Sequence, residues 1–375
     1  MPLLHPLASC AVALSVSLAV ALALVLTRRL HARFTADSAM HLPQKIHTGE
    51  IPRVGGVAIV AGFVAGLLHL TWTGAGPAPV SPSTAMILLA GLSPVFAVGL
   101  VEDLTKRINA QQRLVWLALG SLIAIQSRHL WLSGIGAPAL DPLFESWAFA
   151  LTFSVFACVG VCNAYNIIDG LNGLLGGVAL ITLAGIAWVA ASVGDTKVLG
   201  LACVLGAAVL GWLPFNWPRA RLFAGDGGAY ALGFLITALL LLLVQRNPGV
   251  SPWFGLTAAA LPICETVYSM VRRTRGGLRT TDPDQGHLHQ LLRRWMHQAV
   301  VERRAEGSRR PDRLPNGRCS PVLGALHASV VGVGALAYDE TLLLLGASVG
   351  FALVYATLHT ALVRSQGAAA LAPAR

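Results

Sequence analysis

The sequence has few charged residues for its length. Of its 375 residues, 12% are Asp, Glu, Lys or Arg and 55% are hydrophobic, and the mean hydropathy is +0.66. A soluble domain carries about 25% charged residues. The shortage of charge therefore excludes an ordinary soluble domain and indicates an integral membrane protein.

The sequence also lacks the long alternation of polar and apolar residues that is typical of a transmembrane β-barrel. It has instead continuous apolar runs of roughly 17–25 residues, the length at which a helix crosses a bilayer. We predict an all-α, polytopic integral membrane protein with about eleven transmembrane helices. The predicted spans lie near residues 8–27, 54–72, 84–101, 113–127, 147–165, 175–193, 198–214, 228–245, 253–271, 321–338 and 341–363.

Cysteine is absent from the patterns that would indicate a metal site or a disulfide framework. The six cysteines include no CxxC pair, and most of them fall inside predicted spans. We interpret them as small apolar residues that fill gaps between helices.

Positive charge is nearly absent from one side of the predicted bundle. Of the 27 Lys and Arg residues, 24 fall on one side, and only Arg128, Lys197 and Arg246 fall on the other. By the positive-inside rule, the N-terminus is outside the cytoplasm and the C-terminus is inside. This distribution explains the net charge of +10 without nucleic acid as a partner.

No soluble domain interrupts the spans. We therefore expect one transmembrane domain over residues 1–365, which includes a cytoplasmic loop over 272–320. The remaining residues, 366–375, are rich in Ala and Pro and are predicted to form a disordered tail.

Polar motifs occur in five successive cytoplasmic loops and are almost absent from the outer loops. In chain order they are "QKIHTGEIPRVGG", "GLVEDLTKRINAQQRL", "NAYNIIDGLNGL", "FNWPRARLFAGDGGAYALGF" and "DPDQGHLHQL". Polar groups near a bilayer are costly unless they have partners. Their concentration on one side predicts an active-site groove at the cytoplasmic face.

The third motif places Asn163, Asn166, Asp169 and Asn172 at three-residue steps, which puts them on roughly one face of a helix. Amide and carboxylate oxygens suit Mg²⁺ together with phosphate. The alternative is that the asparagines form hydrogen bonds between helices within the membrane. The stripe favours a ligand site that lines the groove.

Carboxylates stand at two further helix ends. Glu102 and Asp103 are adjacent, and such a pair can hold a divalent cation or divide acid and base roles. Asp226 stands between glycines just before a predicted helix, where phosphate could also bind. The alternatives are a hydrated helix end for the pair and simple capping for Asp226.

Basic residues and histidines complete the set. Lys45, His47 and Arg53 could bind phosphate, although positive-inside charge also explains the two cations. His287 and His289 could bind zinc, but further ligands are not evident nearby, and phosphate contacts or proton handling are favoured over a plain surface loop. Glu265, inside a predicted span, is expected to orient a neighbouring loop.

The order of these motifs resembles that of the polyprenyl-phosphate N-acetylhexosamine-1-phosphate transferases. These are the glycosyltransferase family 4 membrane enzymes related to the translocase of peptidoglycan synthesis. The segments "HTGEIPRVGG", "VED", "NAYNIIDGLNGL", "GDGG" and "HLHQ" match the family pattern from about His41 to Leu292. The subgroup that starts O-antigen, capsule or related glycans is the most similar.

The resemblance implies a single transmembrane catalytic domain in a bacterial inner membrane, with a periplasmic N-terminus. Undecaprenyl phosphate in the inner leaflet would attack the β-phosphate of a UDP-N-acetylaminosugar and release UMP. Mg²⁺, or Mn²⁺ in its place, would neutralise the diphosphate. The implied partners are the nucleotide sugar, the lipid phosphate and the bilayer, and a homodimer is one option for the assembly.

The resemblance also implies residue roles. Asp226 matches the metal carboxylate, with Asn166 as a second ligand or diphosphate contact. Asp103 would deprotonate or orient the lipid phosphate, with support from Glu102. The other implied catalytic residues are Asp169, His287 and His289. The implied substrate-binding residues are Lys45, His47, Arg53, Asn163, Asn166 and Asn172.

Three departures from the family pattern are visible. Glu102 and Asn172 stand where many members have Asp, and the histidine cluster is HLHQ rather than a run of three. A secondary transporter with a polar site is the rival interpretation. Its site should lie near the bilayer midplane between repeated halves, and the sequence shows no such repeat.

Overall fold

The computed structural model describes residues 4–35, 51–74, 79–127, 130–277, 286–305 and 316–371. Every regular element among these residues is a helix, which confirms the all-α prediction. Lys45 and His47 lie outside the described residues. The helices are α1 (Leu4–Leu26), α2 (Arg28–Thr35), α3 (Gly55–Thr73), α4 (Pro82–Thr105), α5 (Ala110–Ser127), α6 (Asp141–Phe144), α7 (Trp147–Ile168), α8 (Leu174–Ser192), α9 (Thr196–Trp212), α10 (Gly225–Arg246), α11 (Trp253–Ala258), α12 (Ala260–Arg275), α13 (Leu288–Ala305), α14 (Ser320–Leu336) and α15 (Thr341–Leu371).

The chain is a polytopic membrane protein. Among the described residues, eight helices are long and apolar enough to cross a bilayer. Each of the eleven predicted spans overlaps a helix or, in one case, a pair of helices. The exact count of eleven spans stays a prediction, because α5, α14 and the α11–α12 pair fall short of the length or hydropathy of the other eight.

The segment predicted as one span over 253–271 is broken in two, between Ala258 and Ala260. Pro262 explains the break, since its ring clashes with the carbonyl four residues earlier, that of Ala258, and supplies no N–H to it. The freed Ala258 carbonyl accepts a hydrogen bond from the Thr182 hydroxyl at 2.8 Å. The break is therefore built into the sequence and compensated by a neighbouring helix.

Helix α10 is the centre of the bundle, and all its residues from Gly225 to Leu243 are buried. Its first turn packs backbone against backbone on two neighbours. A Cβ atom on Gly56 of α3 would lie 2.3 Å from the Gly228 nitrogen, and one on Gly99 of α4 would lie 2.5 Å from the Gly227 nitrogen. Glycine at these positions lets three helices meet at the start of α10.

The loops that carry the polar motifs gather at one end of the bundle. Backbone hydrogen bonds join 52–56 to 223–224: Phe223 N–H to Pro52 C=O, Gly55 N–H to Phe223 C=O and Gly56 N–H to Ala224 C=O. We call this the motif end. At the opposite end, Arg246 pairs with Asp195 at 2.7 Å. The loop 272–320 includes α13, and the final helix α15 continues to Leu371.

Candidate active site

Asp226, in the first turn of α10, is the residue around which the site is arranged. Its Oδ1 accepts hydrogen bonds from Arg53 Nη2 and from Asn166 Nδ2, both at 3.0 Å. Its Oδ2 lies 3.7 Å from Arg113 Nη1. The side chains come from four segments: α10, the residues before α3, the end of α7 and the start of α5. Of the residues predicted for the site, Arg53, Asn166 and Asp226 are therefore in direct contact.

Arg113 was not among the residues predicted from the sequence. Its Nη1 also donates to the Tyr230 hydroxyl at 3.3 Å, one helical turn beyond Asp226. In the sequence, the positive-inside rule accounts for a lone arginine in a cytoplasmic loop, so nothing marked it out. The structure shows two guanidinium groups, those of Arg53 and Arg113, on either side of one carboxylate.

Asp103 is buried and holds the start of α10. Its Oδ1 accepts the backbone N–H of Asp226 and its Oδ2 accepts that of Gly227, each at 2.9 Å. These are two of the four N–H groups that a helix leaves unpaired at its N-terminus. Gly225 has a φ of +73°, and a Cβ there would lie 2.4 Å from Asp103 Oδ2. Asp103 therefore fixes the backbone that carries Asp226.

Glu102 has a separate task from Asp103. Its Oε2 accepts the backbone N–H of Ile108 at 2.7 Å and so holds the short connection between α4 and α5. Arg113 follows this connection, in the first turn of α5. The two acidic residues of "VED" thus hold two different segments, the α4–α5 connection and the start of α10. Their role toward a cation stays a prediction.

The predicted stripe of "NAYNIIDGLNGL" is divided. Asn166 reaches Asp226, whereas the Asn163 amide donates to Val159 C=O at 2.8 Å and the Asn172 amide donates to Pro218 C=O at 3.2 Å. A three-residue step falls about 60° short of a full turn, and α7 ends at Ile168, so the four side chains do not stay on one line. The amide nitrogens of Asn163 and Asn172 are therefore directed to backbone carbonyls, whereas that of Asn166 is directed to Asp226.

Asp169 follows the end of α7, and desolvation raises the pKa of its carboxyl from 3.8 to about 7. The positive charge of Arg53 opposes this rise, and the negative charge of Asp226 adds to it. The nearby backbone N–H of Gly225 also opposes the rise in pKa. Asp169 therefore belongs to the same electrostatic group as Asp226. Its catalytic role stays a prediction.

The two loop histidines are held together by Glu265 of α12. His287 Nδ1 lies 3.2 Å from Oε2 of this carboxylate, and His289 Nδ1 lies 3.1 Å from Oε1. The possible metal-ligating atoms of the three residues lie within 4.8 Å of one another. Glu265 thus supplies the third group that the sequence did not show beside the HxH pair. It orients the neighbouring loop, the role that its position suggested.

A cavity of about 530 Å³ opens at the motif end, beside the turn that follows α7. Asp226 does not line it, so the assignment of the site rests on the side-chain contacts described above. The lining residues are Pro214, Trp217, Pro218, Arg219, Arg221, Gly317, Arg318 and Pro321.

The donor set at Asp226 fits a hard divalent cation. Mg²⁺ binds oxygen ligands, takes one or two carboxylates from the protein and shares the rest with water and phosphate. Asp226 supplies one carboxylate, Asp169 lies in the same electrostatic group, and the Asn166 amide directs its nitrogen to Asp226, leaving its oxygen for another partner. The two guanidinium groups suit the phosphate oxygens that would accompany such an ion.

The fold and the site together define a class: a multi-span helical membrane protein with a carboxylate-centred site, flanked by two arginines, at one end of the bundle. Residues 85–244 match the model of the family described as Glycosyl transferase family 4. Three relatives are similar over about two thirds of both chains.

The first relative is the probable undecaprenyl-phosphate N-acetylglucosaminyl 1-phosphate transferase of Bacillus subtilis (strain 168), 32% identical over 250 residues, 66% of this chain and 67% of the relative. The second is the undecaprenyl-phosphate alpha-N-acetylglucosaminyl 1-phosphate transferase of Escherichia coli (strain K12), 29% identical over 263 residues, 67% of each chain. The third is the decaprenyl-phosphate N-acetylglucosaminephosphotransferase of Mycobacterium tuberculosis (strain ATCC 25618 / H37Rv), 30% identical over 280 residues, 66% of each chain. The chain belongs to Glycosyl transferase family 4, among the polyprenyl-phosphate N-acetylhexosamine-1-phosphate transferases.

Proposed function

We propose that the protein transfers an N-acetylaminosugar-1-phosphate from a UDP-sugar to undecaprenyl phosphate and releases UMP. The observation that carries this proposal is the Asp226 carboxylate held between Arg53 and Arg113 at the motif end of the bundle. The relatives' names support it, since they specify polyprenyl-phosphate acceptors and N-acetylglucosamine 1-phosphate transfer. N-acetylglucosamine is therefore the first donor sugar to test.

Arg53 and Arg113 are the diphosphate-binding residues in this proposal. Guanidinium groups bind phosphate through paired, charge-assisted hydrogen bonds. In the structure both groups are turned toward Asp226, which keeps them in place before the donor arrives. As charge develops on the leaving UMP, the two cations stabilise it without further rearrangement.

Asp226 and Asn166 would hold Mg²⁺, or Mn²⁺ in its place, with Asp169 beside them. A divalent cation bound there would neutralise the diphosphate and polarise its phosphorus–oxygen bonds. Asp103 keeps Asp226 in position by accepting the backbone N–H groups of Asp226 and Gly227. The site is thus arranged before the reaction, which is the main requirement for phosphoryl transfer.

In the proposed reaction, an oxygen of the lipid phosphate attacks the β-phosphorus of the donor. The bond from that phosphorus to the UMP oxygen breaks, and the sugar-1-phosphate becomes part of a lipid diphosphate. A phosphate monoester has a second pKa near 6, so the acceptor is mostly dianionic at neutral pH and needs no strong base. We therefore favour a role for Asp103 in holding Asp226 in place over a role in removing a proton from the lipid phosphate.

The remaining predicted residues complete the proposal. His287 and His289 would contact donor phosphate. Lys45 and His47, from the motif that also supplies Arg53, would bind phosphate at the entrance to the groove. Asn163 and Asn172, from the same motif as Asn166, would bind substrate. The product would start a lipid-linked cell-surface glycan such as O-antigen or capsule, at the cytoplasmic face of a bacterial inner membrane. A homodimer is one option for the assembly.

The test is UMP release from purified protein with undecaprenyl phosphate, Mg²⁺ and a panel of UDP-N-acetylaminosugars. We expect release with one donor, and none when EDTA removes the metal or when the lipid phosphate is omitted. Absence of UMP with every donor, from folded protein, would contradict the proposal. Uptake assays in proteoliposomes would then test the transporter interpretation.

A further inference from the structure

The histidine pair of the fifth motif is attached to a carboxylate that the proposed reaction does not use. Glu265 is 1% exposed, although a carboxylate at this depth is costly without partners. Its carboxylate accepts four hydrogen bonds from one short segment, His287 to His289, and Tyr355 of α15 interacts with the same carboxylate. A buried carboxylate that holds two imidazoles and two backbone N–H groups is placed to position that segment.

The hydrogen bonds divide evenly between the two carboxylate oxygens of Glu265. Oε1 lies 3.1 Å from His289 Nδ1 and 3.2 Å from the backbone nitrogen of His289. Oε2 lies 3.2 Å from His287 Nδ1 and 3.4 Å from the backbone nitrogen of Leu288. A carboxylate can only accept these bonds, so each Nδ1 carries the hydrogen. Each oxygen thus accepts one imidazole and one backbone N–H.

The backbone contacts hold the start of α13 in place. Helix α13 begins at Leu288, so the two N–H groups bound by Glu265 are the first two of that helix. These groups have no partner within the helix, and a negative charge there is favourable. The same carboxylate therefore caps α13 and fixes both rings, which lie stacked with centroids 5.4 Å apart and planes at 18°.

The other edge of His289 faces the third motif. With each Nδ1 attached to Glu265, each Nε2 points away from it, because the two nitrogens lie on different edges of the ring. A Cβ atom on Gly170 would lie 2.5 Å from His289 Nε2. Gly170 follows Asp169 directly, so the Nε2 edge of His289 lies against the turn that carries Asp169.

We propose that Glu265 is a positioning residue that fixes His287 and His289 in the Nδ1–H form and aims their Nε2 atoms at the phosphate-binding site. For its consequence in catalysis, the proposal rests on the transferase function proposed above. The hydrogen-bonded arrangement of Glu265 with His287 and His289, which we call the clasp, is independent of that function. The tautomer of a histidine is set by the hydrogen bond at its other nitrogen, and a carboxylate at Nδ1 leaves Nε2 to act on the ligand.

A metal ion bound by Glu265, His287 and His289 is the competing interpretation. In the structure the two imidazoles bind different oxygens of the carboxylate, and each oxygen also accepts a backbone N–H. Such a carboxylate has little capacity left for a cation. The hydrogen-bonded clasp is therefore the better account, and metal analysis of the purified protein separates the two.

The first experiment is nitrogen-15 NMR of the protein in bilayers, with histidine labelled, comparing the native chain with Glu265→Gln. The chain has eleven histidines, and His287→Asn and His289→Asn assign the two signals. Glutamine presents one oxygen and one NH₂ group, so it cannot accept from both Nδ1–H groups. We expect at least one of the two signals to change from the Nδ1–H to the Nε2–H form.

The matched control is Glu340→Gln, an exposed glutamate near the opposite end of the bundle. It should leave both histidine signals unchanged. If Glu265→Gln does not fold, Glu265→Asp is the second variant, since its shorter carboxylate cannot reach both rings and should release one signal. Unchanged signals in a folded Glu265 variant, or one bound metal per chain that shifts both signals on removal, would overturn the proposal.

Kinetics supply an independent check. Glu265→Gln should lower kcat for UMP release roughly 10–100-fold, the loss typical of residues that orient a functional histidine. In a chain that already carries His287→Asn and His289→Asn, the same change should cost less than about twofold, because groups acting as a unit are not additive. Equal losses in both backgrounds would contradict a role through the histidines. Absence of UMP release by the native chain would count against the proposed function alone, since the NMR result does not depend on turnover.

Discussion

At the residue scale, Asp226 is the position at which the charges of the site converge. Asp226→Asn removes the negative charge that Arg53, Arg113 and a divalent cation would share, while it keeps the size of the side chain. We expect UMP release to fall by about 10³-fold, at the upper end of losses from single charge-stabilising groups. The measurement is a coupled UMP assay over a range of Mg²⁺ concentrations.

The control for this variant is its state of folding. Size-exclusion chromatography and a thermal melt in detergent should show the native profile, because the lost contacts are in a partly solvated site. Turnover close to that of the native chain would contradict the assignment of Asp226 as the metal carboxylate.

Asp103 offers a test of positioning against proton transfer. Asp103→Asn presents only one acceptor oxygen to the N–H groups of Asp226 and Gly227, so one of them loses its partner. An unsatisfied buried N–H costs about 1–3 kcal/mol. We expect a lower melting temperature and a loss of activity by a similar factor at every pH between 6 and 9. The measurement is kcat/KM against pH, with a thermal melt of the same sample.

A base role would give a different result. Loss of a base changes the shape of the pH profile, and such a change with a native melting temperature would contradict the positioning role. Asp141→Asn is the matched control, because its carboxylate also accepts a backbone N–H, that of Ile135 at 2.7 Å, far along the chain from the motifs. Asparagine keeps the one acceptor that Ile135 N–H needs, so this variant should leave both the melting temperature and the activity close to those of the native chain.

At the element scale, the site depends on how closely α10 approaches its neighbours. A Cβ on Gly99 would lie 2.5 Å from the Gly227 backbone, next to Asp226. Gly99→Ala should therefore push α4 and α10 apart, cost about 1–3 kcal/mol as overpacking does, and lower activity through Asp226. Thermal melts and UMP release measure the two effects.

Gly160 of α7 is the control, since a Cβ there would meet no heavy atom within 4 Å. Gly160→Ala should leave activity unchanged and stability equal or slightly higher, because alanine favours a helix by about 1 kcal/mol over glycine. A Gly99→Ala protein with native melting and turnover would show that the backbone contact is dispensable.

The helices themselves could be predicted from sequence for a physical reason. In a bilayer the backbone must satisfy its own hydrogen bonds, so a long apolar run has almost no choice but a helix. The interruption at Ala258–Ala259 was not predicted, because it needs Pro262 to be weighed against the partner that Thr182 provides from another helix. Thr182 and Pro262 are far apart in the sequence, so the sequence alone does not show that the Thr182 hydroxyl replaces the lost backbone hydrogen bond.

The site was predicted where local sequence carries the signal and missed where it depends on packing. Asp226 and Asn166 stand in recognisable motifs, and they do meet. Arg113 carries a positive charge that the positive-inside rule already explains. Asn163 and Asn172 do not join Asn166 at Asp226 because a three-residue step does not match the helical turn and α7 ends at Ile168. The clasp between Glu265 and the histidines joins residues more than twenty positions apart, which no motif records.

At the scale of the whole molecule, the two ends of the bundle differ in chemistry. The motif end holds Asp226 with its arginines, and the opposite end holds the pair Asp195–Arg246. The broken pair α11–α12 runs between them. At one end the Trp253 indole donates to Ile135 C=O, and at the other Glu265 binds the histidine segment. Together the pair has the length of a span, about 30–35 Å at 1.5 Å per residue.

This arrangement predicts that the broken pair α11–α12 crosses the membrane, and topology fusions test it. Alkaline phosphatase is active only outside the cytoplasm, so a fusion after Asn247, before α11, should be active. A fusion after Gly277, after α12, should be inactive, and a fluorescent protein at the same position should be bright. The positive-inside rule supports this orientation, since 24 of 27 basic residues belong to the side of Gly277. Two active or two inactive phosphatase fusions would mean that α11–α12 enters and leaves on one side, and the predicted count of eleven spans would then be wrong.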